Sequence, residues 1–150
     1  MLRYLTAGES HGKTLVAIVD GLPSGIHIDC SLIDYELKRR QGGYGRGGRQ
    51  KLETDQVEVL SGIWKNTSLG SPIALQVVNR DYKLERLEDL PRPRPGHGDL
   101  AGAVKYLAPI RAILERASAR ETIGRVAAGN RDWLRDIATV SAVGWKGHSR

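Results

Sequence analysis

Leu2-Arg3-Tyr4-Leu5-Thr6, then Gly8-Glu9-Ser10-His11-Gly12, then Thr14-Leu15-Val16-Ala17-Ile18-Val19 open the chain. The outer segments read as short strands, the second rich in β-branched residues and closed by the turn Asp20-Gly21-Leu22-Pro23. The middle segment is a glycine loop between them. Glycine lets the main chain come close to a ligand, and His11 is a general-acid candidate because an ordinary imidazole titrates near about 6.5. The competing reading is a plain turn with a solvated histidine. Either way the chain starts in sheet, with polar chemistry placed between its first two strands.

Working outward, Ile26-His27-Ile28 reads as a brief extension of that sheet. A helix follows, with Ser31 as its N-cap, Ile33 and Leu37 on one face, and Lys38, Arg39 and Arg40 at the end where cations suit the macrodipole. Gly42-Gly43 should stop it. Two alternating runs, Val57–Ser61 and Ile73–Val77, predict strands, with a turn over Lys65–Gly70 making a hairpin. Residues 81–95 are charged and proline-rich and read as a loop. From Leu100 to about Ile137 the pattern is helical, broken at Pro109. Ser118-Ala119-Arg120-Glu121 has the form of a capping box. Ala138–Trp145 reads as a further strand. Hairpins with separate helices predict an α+β fold, helices layered on antiparallel sheet.

Bulk properties narrow the function. The 150 residues suit one domain, and 23 Lys+Arg against 17 Asp+Glu give a net charge of +6. The cations crowd the glycine loops: Arg39, Arg40, Arg46 and Arg49 around Gly42–Gly48, and Arg92 and Arg94 beside Gly96-His97-Gly98. That distribution favours a focused anion site. The Gly42–Gly48 segment lacks the Gly-Lys-Ser/Thr ending of a P-loop and follows a helix, unlike a dinucleotide fingerprint. An RNA-binding role for Gly42–Arg49 is disfavoured by 5% aromatic residues with no Phe. One cysteine, Cys30, excludes an intrachain disulfide, and four widely spaced histidines give no metal pattern. No apolar run reaches the roughly 18 residues of a membrane span, so a soluble cytoplasmic protein with no nucleic-acid or membrane partner is expected. Arg116 and Arg120 beside a predicted helix start are disfavoured by the macrodipole, which argues for an anion there.

In order along the chain, Gly8-Glu9-Ser10-His11-Gly12, Arg39-Arg40 through Arg46, Arg94-Pro95-Gly96-His97-Gly98-Asp99, and Arg116-Ala117-Ser118-Ala119-Arg120-Glu121-Thr122 with Arg125-Val126-Ala127-Ala128-Gly129 resemble chorismate synthase. The resemblance implies a layered β-α-β sandwich, of which residues 1–150 are the N-terminal part. It implies a 1,4 elimination of phosphate from 5-enolpyruvylshikimate 3-phosphate, giving chorismate with reduced FMN and no net redox change. It also implies a homotetramer. His11 would assist the departing phosphate and His97 would lie by the flavin. Ser10, Arg40 and Arg46 would hold the substrate's anions; these arginine positions are also given to NADP in the family, with NADPH as an optional reductant. Arg116, Ala117 and Ser118 would face FMN. The sequence departs from the family at Gly98, where Ala is usual, and at Leu107-Ala108-Pro109-Ile110, which is one residue short. Family chains are more than twice as long, and their second half supplies further flavin contacts. A fragment, a truncated product or a short relative is therefore expected, with little turnover alone. The alternative is a non-catalytic relative that keeps the anion loops or pairs with full-length subunits.

Overall fold

The computed structural model describes residues 1–42 and 53–129. The expected strand β1 (Arg3–Ala7) pairs antiparallel with β2 (Thr14–Asp20), with Leu5 opposite Ile18. β2 pairs in turn with the later strand β7 (Ile73–Val78), Ala17 opposite Leu75. The glycine loop thus lies at one end of the sheet. At Gly8 the backbone has φ of +104°, and a Cβ there would stand 2.4 Å from the Thr14 carbonyl oxygen. Only glycine closes this corner without strain.

Residues 26–28 do not extend the first sheet. β3 (Ser24–His27) pairs with β6 (Thr67–Leu69), which pairs with β5 (Ile63–Trp64), forming a second sheet of three strands. The expected hairpin is therefore two nested ones. β4 (Glu58–Ser61) pairs with β7 in the first sheet, while Lys65 and Asn66, both at positive φ, turn β5 into β6. Two adjacent left-handed residues are what a tight hairpin turn needs, and Asn takes that conformation readily. The first sheet has the order β1-β2-β7-β4.

Helix α1 (Cys30–Gln41) runs as predicted to Gly42, but its cap is Asp29, whose Oδ1 accepts from the Ser31 amide and hydroxyl. A carboxylate two positions earlier reaches the first turn, so Ser31 serves as its hydrogen-bond donor. Pro109 does separate α2 (Asp99–Tyr106) from α3 (Ile110–Arg116), after Leu107 turns left-handed at φ 52°. A single 3-10 turn over Ala119–Glu121 leads into α4 (Thr122–Ala128). The capping box does not form: the Ser118 side chain makes no cap bond, and Glu121 is drawn elsewhere by Thr6, Arg116 and Arg125.

The core lies between one face of the first sheet and the helices α1 and α4. Leu15, Ala17, Val19, Ile73, Leu75 and Val77 point inward against Ile33, Leu37, Ile123 and Ala127. This is the alternation of half-buried strands meeting the apolar stripe of helices. The other face is open and apolar: Leu5 is 72% and Val78 54% exposed, with Ile18 between. The α+β expectation holds. Ala138–Trp145, Arg46 and the rest of the Gly42–Gly48 loop beyond Gly42 lie outside the described residues. Among the described residues no helix is long and apolar enough to cross a membrane.

Candidate functional site: two histidine–carboxylate pairs

The β1–β2 loop is fixed from beneath by Asn79, at the end of β7. Its side-chain amide nitrogen donates to the main-chain oxygens of Ser10 at 3.2 Å and Gly12 at 2.7 Å. Asn79 is held by Arg120, whose Nε donates to Asn79 Oδ1 at 2.6 Å. Arg120 also meets Asp55 at 2.8 Å and Glu53 at 3.3 Å. The Glu53 carboxylate accepts from the amides of Arg80 and Asp81. Arg40 faces the same Asp55 at 3.6 Å with its side chain 8% exposed. The anion inferred for Arg120 is thus the protein's own carboxylate pair. Buried charges persist when paired and hydrogen-bonded, as these are.

His11 meets a partner that the sequence reading did not name. Glu115, on the last turn of α3, is wholly buried. Its Oε2 accepts from the His11 amide at 2.9 Å and lies 2.7 Å from His11 Nδ1. Its main-chain oxygen accepts from the Ser10 amide at 2.9 Å. Ser10 is therefore buried within this junction. The His11 ring remains 22% exposed and borders a cavity of about 420 Å³. Lys13, Lys83 and Arg86 line that cavity together with Glu9 and Glu85. The His11 carbonyl oxygen accepts from the amides of both Lys83 and Leu84, so residues 82–86 are anchored to the histidine loop.

His97 forms the second pair. Its Nδ1 lies 2.6 Å from Asp99 Oδ1, and Asp99 is fully buried at the start of α2. Arg94 grips the same carboxylate with Nε at 3.0 Å and Nη2 at 3.2 Å, and its amide donates to Oδ2. The Arg94 hydrogen bonds, joined by those of the Arg94 amide and His97, hold the Asp99 carboxyl well below the usual carboxylate range against the cost of burial. Asp99 likewise pushes Arg94 up, with a smaller contribution from the charge of Glu115. Arg94 therefore stands in the field of both carboxylates.

Arg116 is not at a helix start but at the end of α3, where a cation suits the dipole. Its guanidinium donates to the Thr6 carbonyl at 2.8 Å and the Thr6 hydroxyl at 3.0 Å, and pairs with Glu121 at 3.3 Å. Its charge is spent on tying α3 to β1. Ala117 packs near Gly98, where an added Cβ would make ordinary contact at 3.8 Å with the Ala117 methyl. The family's usual Ala therefore fits at Gly98, and the His97 turn adjoins the 116–118 segment. A recess of about 240 Å³ opens there, lined in part by Tyr106, Arg116, Ala117 and Arg125. The His11 loop and the His97 turn thus both adjoin the end of α3, at Glu115 and Ala117. Ser118 follows Ala117 in sequence, and Arg40 shares Asp55 with Arg120. Glu115 and Asn79 gave no local signal, since each acts through contacts more than 60 residues distant in sequence.

Fold and site together define a layered α+β protein with two carboxylate-oriented histidines beside cationic loops. The chorismate synthase family model matches residues 2–145. The chain is 56% identical over 133 residues to a chorismate synthase of Thermoanaerobacter pseudethanolicus, covering 86% of this chain and 38% of that one. It is 50% identical over 169 residues to one of Chlorobium phaeobacteroides, covering 99% and 43%. A crystal structure of chorismate synthase superposes with a TM-score of 0.70 at 43% identity, covering 91% of this chain and 35% of that one. The chain belongs to the chorismate synthase family. It spans about two fifths of the length of the curated relatives it matches.

Proposed function

We propose that these residues supply the histidine-bearing portion of a chorismate synthase site. The substrate is 5-enolpyruvylshikimate 3-phosphate, and the reaction breaks a C–O bond to phosphate while a C–H hydrogen leaves, forming a new C=C bond. The observation that carries this reading is the pair of buried carboxylates, each bonded to Nδ1 of a partly exposed histidine. Such a carboxylate fixes the ring by one nitrogen and leaves the other for a ligand, which suits a group that must deliver a proton. His11 gives its proton to the departing phosphate. Lys13, Lys83 and Arg86 around its cavity favour an anionic occupant. In this reading Ser10, Arg40 and Arg46 meet the substrate's anionic groups.

The residues also fit one edge of a flavin. The recess beside Ala117 has Arg125 at its rim, 62% exposed and paired with Glu121 at 3.0 Å, and the adjoining turn carries His97. When bound, reduced FMN supplies electron density that weakens the C–O bond, with no net redox change. Because Arg116 is engaged with Thr6 and Glu121, contact from residues 116–118 falls to main chain, Ala117 and Ser118. His97 holds a proton beside the reduced ring. NADPH is the optional reductant of the same flavin. The open apolar face of the first sheet supports burial in a homotetramer, and the cytoplasm is the compartment of this reading.

The test is anaerobic formation of chorismate and phosphate with reduced FMN, in a full-length family chain carrying residues 1–150 as its N-terminal portion. His11→Ala and His97→Ala should each lower turnover about 10²-fold or more, with substrate affinity changed only a few-fold. Normal turnover in both variants would overturn the reading. Residues 1–150 alone should give little turnover under the same conditions.

A further inference from the structure

We propose that Glu115 is the positioning residue for His11: it holds the ring in the Nδ1–H tautomer and leaves Nε2 as the nitrogen that works toward the cavity. The inference rests on His11 being the acid of the proposed reaction, but its physical content stands on contacts alone. An ionised carboxylate only accepts. Glu115 Oε2 already accepts the His11 amide at 2.9 Å, and Nδ1 lies 2.7 Å from the same oxygen. Nδ1 must therefore donate, and the neutral ring then carries its lone pair on Nε2.

Cationic groups face the Glu115 carboxylate. Arg111, one turn earlier on α3, places Nη1 3.9 Å from Oε1. Arg94, from the segment before α2, lies within its field. From the β1–β2 loop come the His11 ring and the Ser10 amide, the latter bonded to the Glu115 main chain. Oε1 is buried and has no hydrogen-bond partner among the described residues. The carboxylate thus directs all of its hydrogen bonding at His11 through one oxygen. An acceptor fixed by both the ring and the backbone of the same residue controls ring rotation as well as tautomer. Ring and main chain are clamped to one atom, so His11 cannot turn without giving up the Glu115 contact.

The experiment is 15N and 1H NMR of the labelled 150-residue chain at pH about 8.5, above the ordinary imidazole range. The expected spectrum has a pyrrole-type shift on His11 Nδ1 and a pyridine-type shift on Nε2. It also has a downfield Nδ1 proton with a nuclear Overhauser contact to the Glu115 methylenes. In Glu115→Met, of similar length but without the acceptor, the two nitrogens should exchange roles or average. An Nε2–H ring in the unsubstituted chain, or an unchanged Nδ1–H ring in Glu115→Met, overturns the proposal. If Glu115→Met does not fold, the Overhauser contact in the unsubstituted chain decides, and its absence overturns the proposal. Binding of 5-enolpyruvylshikimate 3-phosphate and reduced FMN is measured separately. Loss of binding with the tautomer intact breaks the functional reading alone, whereas the wrong tautomer with binding intact breaks this inference alone.

Discussion

His97 takes its carboxylate from two residues away, and His11 takes its own from 104 residues away. The first pair is made by one turn, with Arg94 and Asp99 closing on each other around Gly96-His97-Gly98. The second exists only when α3 docks against the β1–β2 loop, which in turn hangs from Asn79 and Arg120. One site is local and self-supporting; the other is a product of the tertiary fold. The same side-chain chemistry therefore carries two different vulnerabilities.

The largest effect should come from Arg120→Ala. It strips the counter-charge from buried Glu53 and Asp55 and the donor from Asn79, and losing one partner of a buried pair costs about 3–5 kcal/mol. Urea unfolding measures that loss, while NMR should show the His11 ring disturbed and the His97 ring in its original state. Equal disturbance of both rings would break the distinction. Next is Gly102→Ala, which places a Cβ 2.0 Å from Ile113 Cγ2 at the contact of α2 with α3. Ile113 is β-branched and has little room to yield, so about 1–3 kcal/mol should be lost. Here His97 and Asp99 should stay bonded, because they move together with α2, while Arg94 should lose its influence on Glu115.

The smallest effect is Asp99→Asn, read against pH. Asp99 has its folded titration depressed by Arg94, so it binds its proton less readily folded than unfolded. Its charged form therefore adds stability that is full above the ordinary carboxylate value of about 3.9 and fades as pH falls below it. The stability gap between the unsubstituted chain and Asp99→Asn should be present at pH 6 to 7, buffers of about neutral range, and shrink on acidification. A gap independent of acid would mean that the pair is not held by charge. Because the Arg94 side chain is 46% exposed and screened by solvent, this difference should be the most modest of the three.

The local pair is also the one a sequence can reveal. Arg94 to Asp99 is contiguous, and its glycines and proline announce a turn. The strands β1, β2 and β7, the end of α1 at Gly42 and the break at Pro109 are legible for the same reason: alternation, glycine and proline act on neighbouring residues. The second sheet is not legible, because Ser24–His27 and Thr67–Leu69 choose each other across 40 residues of chain. Ser118 to Glu121 misleads because the spacing of a capping box says nothing of competitors. Glu121 finds Thr6 and two arginines, and an ion pair with a hydrogen bond outweighs one helix cap. Arg116 and Arg120 misread in the same way, since their anions come from distant parts of the same chain. Glu115 carries no mark in sequence that separates it from any other charged helix residue.

The carbonyl of His11 accepts two successive amides, those of Lys83 and Leu84. That makes residues 82–86 a latch on the histidine loop, and it turns two amide protons into clocks. Both should exchange with deuterated solvent at one shared rate, set by how often the loop lifts. A ligand that seats against His11 should slow both together, giving a readout of occupancy that needs no turnover.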